Sequence, residues 1–362
     1  MAFDGVGNIY GTTVVGGAFG FGTVFELSPS ANGWSQTVLH SFAGAPDGQY
    51  AYGGVTLDSA GNLYGTTVSG GTGSCGGGCG VVFQLTNSAG GWTESVIYNF
   101  QGGTDGAGAG GPVVFDSAGN LYGTTPDGGA HALGTVYQLK PGQNGQWTEK
   151  VIHSFTGGND GGIGSLGPLL IDSAGSIYGV TEVGGANAAG TVYKVTPTSN
   201  GGWKGTTLYT FKGQPDAGSP YGGLILDKSG NLHGTTYYGG ANGVGAVYEL
   251  HKVARSWQEK VLYSFQTGGD ANSPTTTLAL DAAGNPYGTA SAGGGQSCNR
   301  GGIFKLTRLG SSWSESVMHG FAGDPDGALP YYGLPSDAAG NLYGTTLQGG
   351  VSNQGAIFRF MP

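Results

Sequence analysis

The sequence predicts an all-β protein: a seven-bladed β-propeller of four-stranded antiparallel blades, one blade incomplete with three strands, in a single domain over residues 1–362. Three observations carry this. A repeat recurs seven times along the chain, each copy holds four short segments of strand chemistry, and the composition disfavours helices. The repeat string Gly-Asn-Leu-Tyr-Gly-Thr-Thr or a close variant begins at Gly7, Gly61, Gly119, Gly175, Gly230, Gly284 and Gly340. Successive differences are 54, 58, 56, 55, 54 and 56 residues, so the copies span the whole chain.

Within a copy the elements follow in a fixed order, here strands a to d. In the second copy strand a is Gly54 to Leu57, strand b Asn62 to Thr67, strand c Val81 to Leu85 and strand d Trp92 to Phe100. Between a and b lies Asp-x-x-Gly-Asn, with Asp at 4, 58, 116, 172, 227, 281 and 337. The Asp can cap a tight turn and the Gly can take positive φ, which makes a hairpin. The b–c connection always contains Gly-Gly and varies in length, as a loop tolerant of insertion does. Strand d opens with Trp34, Trp92, Trp147, Trp203, Trp257 or Trp313, each followed eight residues later by Phe. Alternation would place Trp34, Val38, His40 and Phe42 on one side, so aromatics are spent on packing between copies. Strand d occurs six times, and the chain can be cut as a-b-c-d with an incomplete last blade or d-a-b-c with an incomplete first. Either cut leaves an unpaired edge near the last strand c, where a homodimer through the incomplete blade is expected as one alternative to a truncated chain.

Composition narrows the function classes. Glycine is 79 and proline 15 of 362 residues, a level that without periodicity would read as disordered chain. Hydrophobic residues at 38% and aromatics at 11% are enough to bury a core. Only 10% of residues are charged, and 13 Lys and Arg against 22 Asp and Glu give −9. No basic cluster supplies the footprint that phosphate neutralisation needs, so nucleic acid is excluded as a partner. No apolar run reaches the ~20 residues of a membrane-spanning helix. The first residues carry neither a charged nor an apolar leader segment. Low charge with abundant Gly, Ser, Thr, Tyr and Asn suits an extracellular or cell-surface protein of bacterial type whose leader has been removed. Cys75 and Cys79 lie in Ser-Cys-Gly-Gly-Gly-Cys, where a loop-closing disulfide outranks a metal pair because no further His or Cys lies nearby; Cys298 stands alone.

The string Asp-x-Ala-Gly-Asn-Leu-Tyr-Gly-Thr-Thr-x-x-Gly-Gly, followed by Gly-Thr-Val-Phe-Glu-Leu, closely resembles the Gloeo_Verruco (GloVer) tandem repeat over essentially all 362 residues. The resemblance implies a propeller-like array and export from a bacterial cell. It implies no particular catalysis. More loosely, Gly223 to Leu232 is similar to the hairpin of gluconolactonase-type and paraoxonase-like propellers, which implies a calcium-dependent lactonase or esterase with its metal in the central channel.

Function should concentrate on the d–a and b–c loops at one face. The d–a loops carry Asp47, Asp105, Asp160, Asp216, Asp270 and Asp326. Six carboxylates around a channel mouth suit Ca²⁺, which takes oxygen ligands, although Asp-Gly also makes a turn needing no metal. Departures from the repeat are more informative: Asp127 and His131 in copy three, Glu182 in copy four, Tyr237 and Tyr238 in copy five, and Arg300 in copy six. His131 is the candidate general base, with Asp127 or Glu182 orienting it. His40, His153 and His319, which alternate with Tyr at one strand-d position, read as packing residues, as does His233 in place of the strand-b Tyr. No serine-hydrolase elbow, zinc-protease or phosphate-loop motif occurs. The expected function is a calcium-dependent hydrolase of lactones or esters, acyl-homoserine or sugar lactones for example. The alternatives are an extracellular module binding glycans or proteins, and a purely structural surface repeat.

Overall fold

The computed structural model describes every residue except 32, 296–298 and 338, so Cys298 lies outside the described residues. Strands dominate, with two single-turn 3-10 helices at Gly103–Asp105 and Gln143–Gly145 among the described residues. The first sheet is Ala2–Phe3, Ile9–Thr13, Thr23–Ser30 and Gly33–Ser41, each antiparallel to the next. Six copies repeat this a-b-c-d order, and the seventh has three strands, Ala328–Pro330, Leu342–Gln348 and Ala356–Phe360. The fold is therefore the seven-bladed β-propeller, cut as a-b-c-d with strand d missing from the last blade. Two compact units divide the chain: residues 1–157, 162–177 and 195–205 form the first, and residues 158–161, 178–194 and 206–362 the second.

Each repeated residue has a physical task. In the hairpin, Asp58 accepts hydrogen bonds from the Ala60 and Asn62 amides, from Asn62 Nδ2 and from the Tyr64 hydroxyl. Asp4, Asp116 and Asp337 hold the same set. The Gly of Leu-Tyr-Gly lies beneath an aromatic ring of strand c: a methyl at Gly65 would meet Phe83, and one at Gly344 would meet Phe358. The first Thr donates to a carbonyl of the following copy, Thr66 to Gly111 at 2.7 Å and Thr235 to Thr276 at 2.8 Å. The second Thr meets a strand-c Thr, as Thr125 and Thr135 do at 2.8 Å.

Aromatics do join consecutive copies. The strand-d Phe packs edge-on against the next strand-c ring in Phe42–Phe83, Phe100–Tyr137, Phe211–Tyr248 and Phe265–Phe304, with centroids 5.0–5.1 Å apart. The strand-d Trp packs on the preceding strand-b Tyr in Trp92–Tyr10 and Trp147–Tyr64. Simple alternation along strand d does not hold, however. A register shift interrupts it in the first, second, third, fifth and sixth copies, so that Phe42 is buried while Trp34 and Val38 are exposed.

Strand a also differs from expectation. In copy five Ala217–Pro220 pairs with the far end of Leu232–Gly239 and Ile225–Leu226 with its start. Within the first piece Ser219 sits in the left-handed region at φ 54°, where the pairing skips it. The residues between the two pieces, 221–224, leave the ladder and meet copy six, where Thr277 Oγ1 accepts from the Gly223 amide at 2.8 Å.

Candidate functional site

The d–a aspartates are turn caps. Asp47 accepts from His40 Nε2 at 3.0 Å and from the Ala43 and Gly48 amides. Asp105 accepts from the Tyr98 hydroxyl at 2.6 Å and the Gln101 amide, Asp216 from Tyr209 and the Lys212 amide, and Asp270 from Tyr263 and the Gln266 amide. Asp326 pairs with His319 at 3.0 Å and accepts from the Ala322 amide. Asp160 offers its backbone carbonyl to Thr191 Oγ1. The alternating His and Tyr of strand d are thus donors to the loop seven residues on, as well as packing residues. A calcium cage needs oxygens with free lone pairs. Each of these five carboxylates is anchored by N–H and O–H donors of its own strand d and loop, a turn-capping role that by itself needs no calcium.

A second carboxylate stands against three of these loops from the next copy's strand d. Burial first, then the nearby charge of Asp47, pushes Glu94 up to about 7. Burial and Asp105 do the same for Glu149, and burial and Asp270 for Glu315.

The expected catalytic residues fall in different units. In the first, Asp127 and His131 lie on the exposed b–c loop of copy three. Backbone bonds between Asp127 and Ala107 fix that loop, but no hydrogen bond or ion pair joins His131 to Asp127 among the described residues. In the second unit Glu182 is the penultimate residue of strand b, Ile177–Val183, of copy four. It is half-buried, and burial raises its carboxyl to about 7. Its charge is felt by Tyr221, whose phenol is held well above its ordinary value by burial first, then by a hydrogen bond to Tyr331 and the charges of Tyr331, Glu182 and Tyr332. The Tyr221 and Tyr331 rings stand edge to face at 5.4 Å, and Tyr332 flanks Tyr331 at 5.8 Å.

Sequence reasoning passed over Tyr221, Tyr331 and Tyr332. The signal was present. Six residues before the hairpin Asp stand Tyr52, Gly110, Leu166, Tyr221, Thr275 and Tyr331, a position that varies between copies. That position lies in the segment that leaves strand a, so its side chain is not fixed by ladder packing and is free to differ.

The sequence profile of the Gloeobacter/Verrucomicrobia repeat matches residues 1–169 and 165–362. The chain belongs to this repeat family. No curated protein matches it. Among solved structures it is similar to a protein of Bacteroides uniformis assigned as a 6-phosphogluconolactonase, at 10% identity and TM-score 0.57 over 96% of this chain and 94% of that one. A Lactobacillus plantarum protein is similar at 11% identity and TM-score 0.59, covering 97% and 94%. A Thermus thermophilus protein assigned as a glucose dehydrogenase follows at 14% and 0.50, covering 85% and 95%. At such identities the likeness is one of fold alone.

Proposed function

We propose that this repeat protein hydrolyses lactones or related esters, with Glu182 as general base and the Tyr221–Tyr331 pair as hydrogen-bond donors to the carbonyl oxygen. The observation that supports this reading most is a carboxyl raised to about 7 by burial beside three clustered tyrosines. A base with that value is poised for neutral pH. Glu182 takes a proton from water, whose oxygen bonds to the carbonyl carbon. A tyrosine O–H then stabilises the oxyanion. Collapse breaks the ring C–O bond, and the alkoxide takes the proton back from Glu182, giving the hydroxy acid. A single asymmetric cluster on a repetitive frame favours catalysis over repeated binding. The Cys75–Cys79 disulfide supports an oxidising, extracellular setting.

The test is hydrolysis of a panel of sugar lactones and acyl-homoserine lactones, with and without EDTA. For Glu182→Gln we expect kcat/KM to fall by about 100-fold or more, with activity in the wild type rising to a plateau above about pH 7. Tyr331→Phe should cost about tenfold. His131→Ala and Asp127→Asn test the other proton-transfer assignment in the same panel, and EDTA tests calcium. A Glu182→Gln enzyme as fast as wild type overturns the reading. The exposed Tyr238, paired edge to face with Tyr237 at 4.6 Å, favours a second reading as a glycan-binding module. Saturable glycan binding without turnover would establish that instead.

A further inference from the structure

Away from the Glu182 cluster, at the hairpin end of the fifth sheet, copy five departs from the repeat at two neighbouring positions, beside a glutamate that it shares with Glu26 of copy one. The strand-b Tyr, present as Tyr64, Tyr122 and Tyr287, becomes His233. Its cross-strand partner is Gln84, Gln138 or Lys305 in those copies and Glu249 here. Two residues further on, Thr86, Lys140 and Thr307 give way to His251. With the hairpin Asp227, one imidazole and two carboxylates converge, and His251 stands beside the other oxygen of Glu249.

The spacing suits a metal. His233 Nε2 lies 3.2 Å from Asp227 Oδ2 and 3.9 Å from Glu249 Oε2, and His251 Nδ1 lies 3.6 Å from Glu249 Oε1. Four ligands at bonds of about 2.1 Å around a tetrahedral ion stand about 3.4 Å apart. The donor atoms of Asp227, His233 and Glu249 all fall within 4.8 Å of one another.

Two further observations point to a missing cation. His233 is only 7% exposed, with its Nε2 turned to both carboxylates. In copy six the same place is filled by a cation from the chain itself: the Lys305 ammonium lies 3.2 Å from Asp281 and 4.8 Å over the Tyr287 ring. Copy five replaces that lysine with an acid, and the neighbouring Lys252 turns to the Trp257 ring instead. Asp227 and Glu249 thus face each other across His233 without the cation that copy six provides.

We propose that Asp227, His233 and Glu249 form a site for one first-row divalent metal ion, of the zinc type by its mixed nitrogen and oxygen donors, with His251 positioning Glu249 from its other oxygen. His233→Tyr and His251→Thr restore residues that other copies use, so both variants should keep the fold. The measurement is titration of the full chain with Co²⁺, read by its visible absorption, with Zn²⁺ followed by thermal shift. The wild type should take up one Co²⁺ per chain with a tetrahedral band. His233→Tyr and His251→Thr should each weaken uptake by at least about tenfold and abolish the thermal shift with Zn²⁺. His40→Tyr, in the separate cluster of His40, Asp47 and Glu94, should change neither. No uptake by the wild type, uptake indifferent to His233→Tyr and His251→Thr, or uptake lost in His40→Tyr would overturn the proposal.

Discussion

Replacing Glu94 by Gln should stabilise the protein at pH 8 and leave it unchanged at pH 4. Glu94 enters from the second copy's strand d against the loop of Asp47, with Oε1 buried and without a hydrogen-bond partner. Its carboxyl moves from 4.5 to about 7 on folding. A raised carboxyl favours the folded state while it holds its proton. That contribution is complete below about 4.5, fades as pH rises through the interval and is gone above about 7. The full displacement corresponds to about 3 kcal/mol, but the side chain is only half-buried and water screens the charge, leaving about 1–2 kcal/mol. Gln keeps the shape and cannot ionise. Denaturant unfolding at both pH values should therefore show a gain of that size at pH 8 alone. Equal stability of the two proteins at pH 8, or an equal gain at pH 4, would refute the argument.

Other predictions rest on single contacts. Asp58→Ala removes four accepted hydrogen bonds from one hairpin and should cost about 2–4 kcal/mol by denaturant unfolding. Tyr137→Phe should be neutral or stabilising by up to about 1 kcal/mol, because its buried hydroxyl has no partner and other copies use Phe83 and Phe304 there. Gly65→Ala forces a methyl against Phe83 and should cost about 1–3 kcal/mol, again read by unfolding. The hairpin aspartates Asp4, Asp58, Asp116, Asp227 and Asp281 are held below their ordinary 3.8 by backbone and side-chain donors, against burial. Depressed carboxyls stabilise above 3.8 and lose that as pH falls through their folded values, so thermal unfolding should show a steep loss below about pH 3.8. With the opposite slope from Glu94, Glu149 and Glu315, the stability maximum should lie on the acid side of neutrality.

What could be read from the sequence followed the range of the interaction. The hairpin Asp bonds groups two, four and six residues away, so its role shows in one short string. The strand count and aromatic packing between copies follow from periodicity, because each sheet must cover its faces with the next. The cut at a-b-c-d was not legible, since both cuts give the same string of strands and only the pairing of Gly33–Ser41 with Thr23–Ser30 of its own copy decides. The recurrence of the d–a aspartates fits a metal ring and a turn cap alike. Yet the interval was constant, His40 to Asp47, Tyr98 to Asp105, Tyr209 to Asp216 and His319 to Asp326, each seven residues. A fixed interval between a donor and an acceptor is what a local cap requires, whereas metal ligands gathered from separate copies need no such spacing. The tyrosine cluster obeys neither rule: Tyr221 and Tyr331 meet from copies five and seven, and no local string links them. The residues that break the repeat are therefore the ones sequence alone places least well, and they are also where a frame of near-identical sheets has room for chemistry.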